Sequence, residues 1–235
     1  MKKEEEKYKN SVVLLSGGLD SSVVMSIAEL NLPEGGKLFP LNISYGQLHK
    51  KESDCAVRIA AKLGYDLQWM LIPLSGILDS SLVGKGDIPT KIEDGIPSTW
   101  VPQRNSIFLS IAFGYAESVG ADKVYIGVNS IDFSGYPDCR PEFITKMELA
   151  LNLASRRFVE AGEGTTIEAP LQLMTKAEIV DLGTKMNVDF SETWSCYRGG
   201  ELACGQCPSC LIRLEAFKTA GIKDPLVYES LEKVI

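Results

Sequence analysis

Ser11-Val12-Val13-Leu14-Leu15-Ser16-Gly17-Gly18-Leu19-Asp20-Ser21-Ser22 is the stretch on which the reading of this chain turns. Its β-branched and leucine half reads as a buried strand. The paired glycines that follow permit positive φ and close backbone approach. From Val23 to Leu30 the apolar residues recur at helical spacing, so the loop opens onto a helix N-terminus. Backbone N–H groups and the positive end of the helix dipole then face whatever occupies the loop, which makes an anion site. A plain glycine turn would not require Ser16, Asp20 and Ser21 together. The Walker A pattern G-x-x-x-x-G-K-[ST] is excluded, because no lysine lies here.

Outward from this loop, strand patterns fall at Ser11–Leu15, Lys37–Ser44, Asp66–Pro73, Lys123–Val128 and Thr166–Ala169. Helical patterns lie between or beyond them at Ser22–Leu30, Glu52–Leu63, Ser106–Val119, Pro141–Ala161 and Lys176–Met186. Such alternation calls for a parallel sheet with right-handed crossovers, an α/β three-layer sandwich. Thr175 followed by Glu178 reads as a capping box. Ligands in open sheets bind beyond the carboxyl ends of the strands, where strand order reverses. The glycine loop, the segment Ser44 to His49 and the segment Gly127 to Arg140 are therefore expected to face one cleft. The stretch from Leu74 to Val101, rich in Gly, Pro, Ser and Asp, reads as a loop or lid.

At 235 residues the chain suits one α/β domain with an appendage. A net charge of −7 argues against broad phosphate-backbone binding and favours a small-molecule substrate over a nucleic acid. The pairs Lys50-Lys51 and Arg156-Arg157 read as solvated faces or local anion contacts. No apolar run reaches bilayer length, and Met1 to Asn10 lacks the apolar core of a signal peptide. The expected location is the cytoplasm, with no membrane partner.

Of six cysteines, Cys196, Cys204, Cys207 and Cys210 share the spacing C-x7-C-x2-C-x2-C. Two consecutive C-x-x-C steps bring three thiolates onto one ion, and the arm from Cys196 through Gly199-Gly200 closes the site. Zinc is the expected occupant, being content with four sulfurs, and a closed site of this kind is structural. An iron–sulfur cluster can use the same four ligands. Disulfides do not suit a cytosolic chain. Cys55 reads as a small buried hydrophobe.

SGGxDS resembles the PP-loop of the ATP pyrophosphatases, which grip ATP by its pyrophosphate end. With Tyr45-Gly46-Gln47 and His49, Trp100-Val101-Pro102-Gln103-Arg104-Asn105, Asp132-Phe133-Ser134-Gly135-Tyr136-Pro137-Asp138-Cys139-Arg140, Pro170-Leu171, Lys176-Ala177-Glu178 and the cysteine cluster, the chain resembles the QueC family from Val12 to about Arg213. The resemblance implies an adenine nucleotide alpha hydrolase-like fold. It divides the chain into a charged leader over residues 1–10, an ATP-binding α/β domain over 11–190 and a zinc-binding element over 191–235. It implies a C–N ligase that turns 7-carboxy-7-deazaguanine, ammonia and two ATP into 7-cyano-7-deazaguanine through adenylated acid and amide. One structural zinc per chain, magnesium with the ATP and a homodimer are implied with it.

The nucleotide is expected on Leu15, Ser16, Gly17, Gly18, Leu19, Asp20, Ser21, Ser22, Val23, Val24 and Met25. Asp20, Arg104, His49 and Lys176 are the expected catalytic residues. Lys176 is either a cation for the phosphates or a solvated lysine. Arg104 has the fork that holds a carboxylate or phosphate bidentately. His49 is the only histidine, so imidazole proton transfer near pH 7 would use it, either to deprotonate ammonium or to orient substrate; otherwise it is a surface histidine beside Lys50-Lys51. Tyr45, Gln47, Asn105, Asp132, Tyr136, Asp138, Cys139 and Arg140 are candidates for the deazaguanine; Tyr136 or Phe133 stacks on its ring or belongs to the core. Two rivals stay open: a paralogue that joins the activated deazaguanine to a protein or other amine, and another PP-loop enzyme such as a tRNA thiolase.

Overall fold

Strand β1 (Asn10–Leu14) sits at the middle of the protein, and its side chains alternate between two hydrophobic cores. A computed structural model describes residues 9–130 and 135–229. Val13 faces one core with helices α1 (Leu19–Leu30), α2 (Lys51–Lys62), α6 (Lys176–Lys185) and α7 (Pro208–Thr219). Val12 and Leu14 face the other, with α3 (Arg104–Val119) and α4 (Pro141–Leu153). Two buried faces explain why β1 runs Val12-Val13-Leu14 without a polar residue instead of alternating.

Around β1 stand β2 (Leu38–Ser44), β3 (Gln68–Leu71), β4 (Ala121–Tyr125) and β5 (Thr166–Glu168), all parallel, in the order β3-β2-β1-β4-β5. The chain grows outward on one side through β2 and β3, then crosses β1 to lay down β4 and β5. Strand order therefore reverses between β1 and β4. This is the three-layer α/β sandwich that the alternation of patterns predicts. Among the described residues no helix is long and apolar enough to cross a membrane.

Three local differences have physical causes. Helix α1 begins at Leu19 instead of Ser22, because Gly18 takes an extended cap conformation and Ser22 Oγ donates back to its carbonyl at 2.7 Å. The helical pattern from Pro141 to Ala161 divides into α4 and α5 (Arg156–Ala161), with Ser155 extended between them. The Asn152 side chain pairs there with both backbone groups of Thr165, at 2.9 and 2.7 Å. Arg157 is also not a solvated lysine-like residue of the surface. It is 9% exposed, and its guanidinium donates to the carbonyls of Ala121, Glu163 and Gly164. The segment from Leu74 to Val101 is packed through Leu74, Leu82, Val83 and Val101, which form a cluster with Tyr45.

Candidate active site

The glycine loop stands at the β1/β4 reversal and is seated directly on α2. Gly17 has φ of 93°, and a Cβ there would lie 2.0 Å from the Glu52 carbonyl oxygen and 2.6 Å from the Ala56 nitrogen. Only glycine fits both the conformation and the contact. Ser21 knits the turn: its hydroxyl accepts from the backbone of Ser16 and Gly17, pairs with Ser16 Oγ at 3.0 Å and donates to the Gly18 carbonyl. Gly127, just past β4, presses on the first turn of α1, since a Cβ there would meet Ser21 N at 3.1 Å.

A cleft of about 250 Å³ opens over this loop. Ser16, Gly18, Leu19, Asp20 and Ser21 line it, whereas Val23, Val24 and Met25 are fully buried beneath it and Leu15 and Gly17 underlie the loop. Ser22 is also buried, with its hydroxyl spent on the Gly18 carbonyl. Asp20 Oδ2 forms an ion pair with Lys176 Nζ and accepts from Asn129 Nδ2 at 3.3 Å. The pair is mostly enclosed, with side chains 18% and 17% exposed. Lys176 is thus a cleft cation and not a solvated one. The capping box of Thr175 and Glu178 fixes the helix start from which it projects. Asp20 Oδ1 is buried with no hydrogen-bond partner among the described residues.

Arg104, at the start of α3, lines the same cleft, its guanidinium 5.6 Å from the centre of the Tyr45 ring. Burial opposes its charge, yet Tyr45, Tyr136, Cys139 and Asp138 around it hold it firmly protonated, above the ordinary arginine value. Burial pushes the Tyr45 hydroxyl up in turn. Tyr45, Gln47, Asn105, Tyr136 and Cys139 line the cleft as well. Several of these polar groups are already engaged. Gln47 Oε1 accepts from Tyr45 N at 2.9 Å and braces the turn after β2. Asp138 is 5% exposed and accepts from Asn105 N at 2.9 Å and Trp100 Nε1 at 3.1 Å, so it staples the start of α3 behind Arg104. Asn105 Nδ2 donates to the Asp138 carbonyl and to Cys139 Sγ. Arg140 is exposed at the start of α4 and does not line the cleft. Asp132 and Phe133 lie outside the described residues.

Glu52 and Asn42 are cleft residues that the sequence reading did not single out. Glu52, on the first turn of α2, places Oε1 within 3.0 Å of where a Gly18 Cβ would stand. Burial pushes its carboxyl up, Ser16 and Arg104 pull it down, and Asp20 adds repulsion. Asn42, at the end of β2, donates to the Leu15 carbonyl at 2.8 Å and leaves Oδ1 buried without a partner among the described residues. A polar residue inside an otherwise apolar strand is the signal that could have found it. Glu52 gave none, since an acidic residue in a first helical turn is ordinary.

Cys196, Cys204, Cys207 and Cys210 are buried, unbonded as disulfides, with sulfurs all within 4.8 Å of one another. Cys204 and Cys210 sulfurs stand 3.9 Å apart. A tetrahedral zinc with bonds of about 2.3 Å sets its sulfurs about 3.8 Å apart, so the donor set fits that ion. The Cys207 and Cys210 groups hold the Cys196 thiol far below its ordinary value. Backbone N–H groups of Cys204, Gln206 and Cys207 point at cluster sulfurs, as a thiolate knuckle requires. Cys55 is buried as expected. The segment entering the cluster forms a wall of the cleft: Trp194 N donates to the Gly17 carbonyl at 3.0 Å, and the His49 ring lies against Gly199. Burial pushes His49 down, opposed by the neighbouring Cys196.

Comparison with known proteins places this geometry. The family described as "Queuosine biosynthesis protein QueC" matches residues 10–221. The 7-cyano-7-deazaguanine synthase of Thermoplasma acidophilum is 46% identical over 225 residues, covering 94% of this chain and 92% of that protein. The enzyme of that name from Pseudomonas syringae is 46% identical over 224 residues, covering 94% and 96%. Among solved structures, NMN synthetase from Francisella tularensis shares the fold at TM-score 0.50 and 14% identity, covering 97% of this chain and 82% of that one. The U34-tRNA thiolase of Methanococcus maripaludis, solved with its [4Fe-4S] cluster, shares it at TM-score 0.50 and 15% identity, covering 91% and 66%.

Proposed function

The chain belongs to the QueC family, and from that membership and the cleft at the tip of β1 we propose that it makes 7-cyano-7-deazaguanine from 7-carboxy-7-deazaguanine, ammonia and two ATP. The need for ATP follows from the substrate: a carboxylate is a poor electrophile and oxide cannot leave. Transfer of an adenylyl group to the acid gives an acyl adenylate that ammonia attacks to form an amide. A second adenylyl transfer, to the amide oxygen, provides the leaving group for the nitrile. The observation that carries this reading is that two anion holders, the glycine loop and Arg104, line one cleft.

The loop of Ser16, Gly18 and Ser21 holds the nucleotide phosphates, and Lys176, fixed by Asp20, puts a cation beside them. Magnesium would bind at the unpartnered Asp20 Oδ1 and share the charge of the departing pyrophosphate. Arg104 takes the substrate carboxylate. Tyr136, Cys139 and Asn105 face the deazaguanine, Asp138 positions α3, and His49 orients substrate from the cysteine wall. Zinc on the four cysteines is structural and leaves no open position. The division into an ATP-binding part over 11–190 and a metal-binding part over 191–235 belongs to the same reading. So does a cytoplasmic site of action, supported by the acidic charge of −7 and a small-molecule substrate.

Incubation with 7-carboxy-7-deazaguanine, ATP, magnesium and ammonium, read by mass spectrometry, tests the proposal. Nitrile with AMP and pyrophosphate is expected. Untouched substrate, or an adduct with a protein amine in place of ammonia, would contradict it.

A further inference from the structure

Asp20 and Glu52 are the carboxylates among the described residues lining the cleft, and Asp20 is tied through Oδ2 to Lys176 and Asn129, with Oδ1 assigned above to magnesium. Glu52 is in no ion pair among the described residues; its carboxyl is hydrogen-bonded to Ser16 and feels the Arg104 charge. Its own backbone carbonyl seats Gly17, and its side chain reaches the Gly18 position and is close enough to Ser16 and Arg104 to feel both. Any acid held by Arg104 and adenylated at the loop must present its carbonyl carbon between them, next to this carboxylate. Asn42 Oδ1 lines the same floor as a buried acceptor with no donor among the described residues. A floor of acceptors suits an incoming N–H donor.

We propose that Glu52 is the general base that accepts the protons given up by the nitrogen as ammonia becomes first amide and then nitrile. This rests on the reaction proposed above. In the first half, the nitrogen lone pair attacks the carbonyl carbon. The bond from that carbon to the AMP oxygen breaks with its electron pair, and one N–H proton passes to Glu52. In the second, the amide oxygen attacks the α-phosphorus of the second ATP and pyrophosphate leaves. The nitrogen then loses its two remaining protons to Glu52 in turn, the C≡N bond forms, and the second AMP departs with the C–O electron pair. Glu52 returns each proton to solvent. Burial raises its carboxyl above the ordinary carboxylate value, with Ser16 and Arg104 opposing, which strengthens it as a proton acceptor. His49 also lines the cleft, its ring packed against Gly199 of the cysteine wall, and the variants below decide between the two.

Two readouts separate the steps: substrate-dependent exchange of pyrophosphate into ATP, and nitrile formation. Glu52→Gln is expected to keep exchange within about threefold while nitrile formation falls about 100-fold or more. Formate is expected to restore part of the nitrile rate in Glu52→Ala, which a purely structural role would not permit. Should Glu52→Gln fail to fold, Glu52→Asp must show the same split in milder form. Full nitrile formation in Glu52→Gln, or equal loss of exchange and nitrile, would overturn the inference; so would the split appearing in His49→Gln and not at Glu52. Absence of exchange in the wild type would instead remove the reaction itself.

Discussion

Gly17 carries the greatest structural demand of any residue in the loop. An alanine there must hold φ near 93° and push a methyl into the Glu52 carbonyl. Strain and overpacking together give a destabilisation of at least about 3 kcal/mol, expected in chemical denaturation of Gly17→Ala. Gly18, at φ −77°, has ordinary backbone, and the tight neighbours of an added methyl are side chains, so Gly18→Ala is expected to fold and lose nucleotide affinity first. Asp20→Asn keeps the shape but weakens the hold on Lys176. A fall of about 100-fold in kcat with an unchanged melting curve is expected for it, and an unaltered kcat would refute its assignment. The glycines, hydroxyls and Asp20 were legible because each residue type is required by local backbone and charge. Glu52 was not, since its role depends on how α2 meets the loop across the sheet.

At the scale of elements, α7 shows how the cysteine segment is held to the core. Arg213, 2% exposed, makes two bonds to Asp224 at 2.8 and 3.0 Å and further bonds to Thr193 Oγ1 and the Phe190 carbonyl. Tyr228 donates its hydroxyl to the same Asp224. Removing the guanidinium strands a buried carboxylate, so Arg213→Ala is expected to cost about 3–5 kcal/mol in unfolding free energy. Because Trp194 bonds to Gly17 and Gly199 holds His49, metal removal belongs to the same element. Chelation or Cys207→Ser is expected to lower stability and ATP affinity together, with metal analysis giving one zinc per chain; iron in its place would contradict the zinc assignment. The spacing of the cysteines and the Thr175–Glu178 capping box could be read directly. The break at Ser155 could not, for it comes from Asn152 binding Thr165 and Arg157 binding carbonyls of distant segments.

For the whole molecule, alternation of strand and helix patterns gave the three layers, but not the order of the strands. The sheet is fixed by β4 pairing with β1, across more than a hundred residues of sequence. That pairing creates the reversal at which Gly127 meets the loop, Lys176 meets Asp20 and Arg104 faces both. In the proposed reaction, oxygen of the acid attacks the α-phosphorus held at this reversal. The most direct test follows the oxygen: the substrate carboxylate is labelled with ¹⁸O, the enzyme is run to completion with ATP, magnesium and ammonium, and the products are weighed. The label is expected in the phosphate of AMP, one atom for each of the two molecules formed. Label appearing in orthophosphate or water, with ADP as the spent nucleotide, would contradict the account.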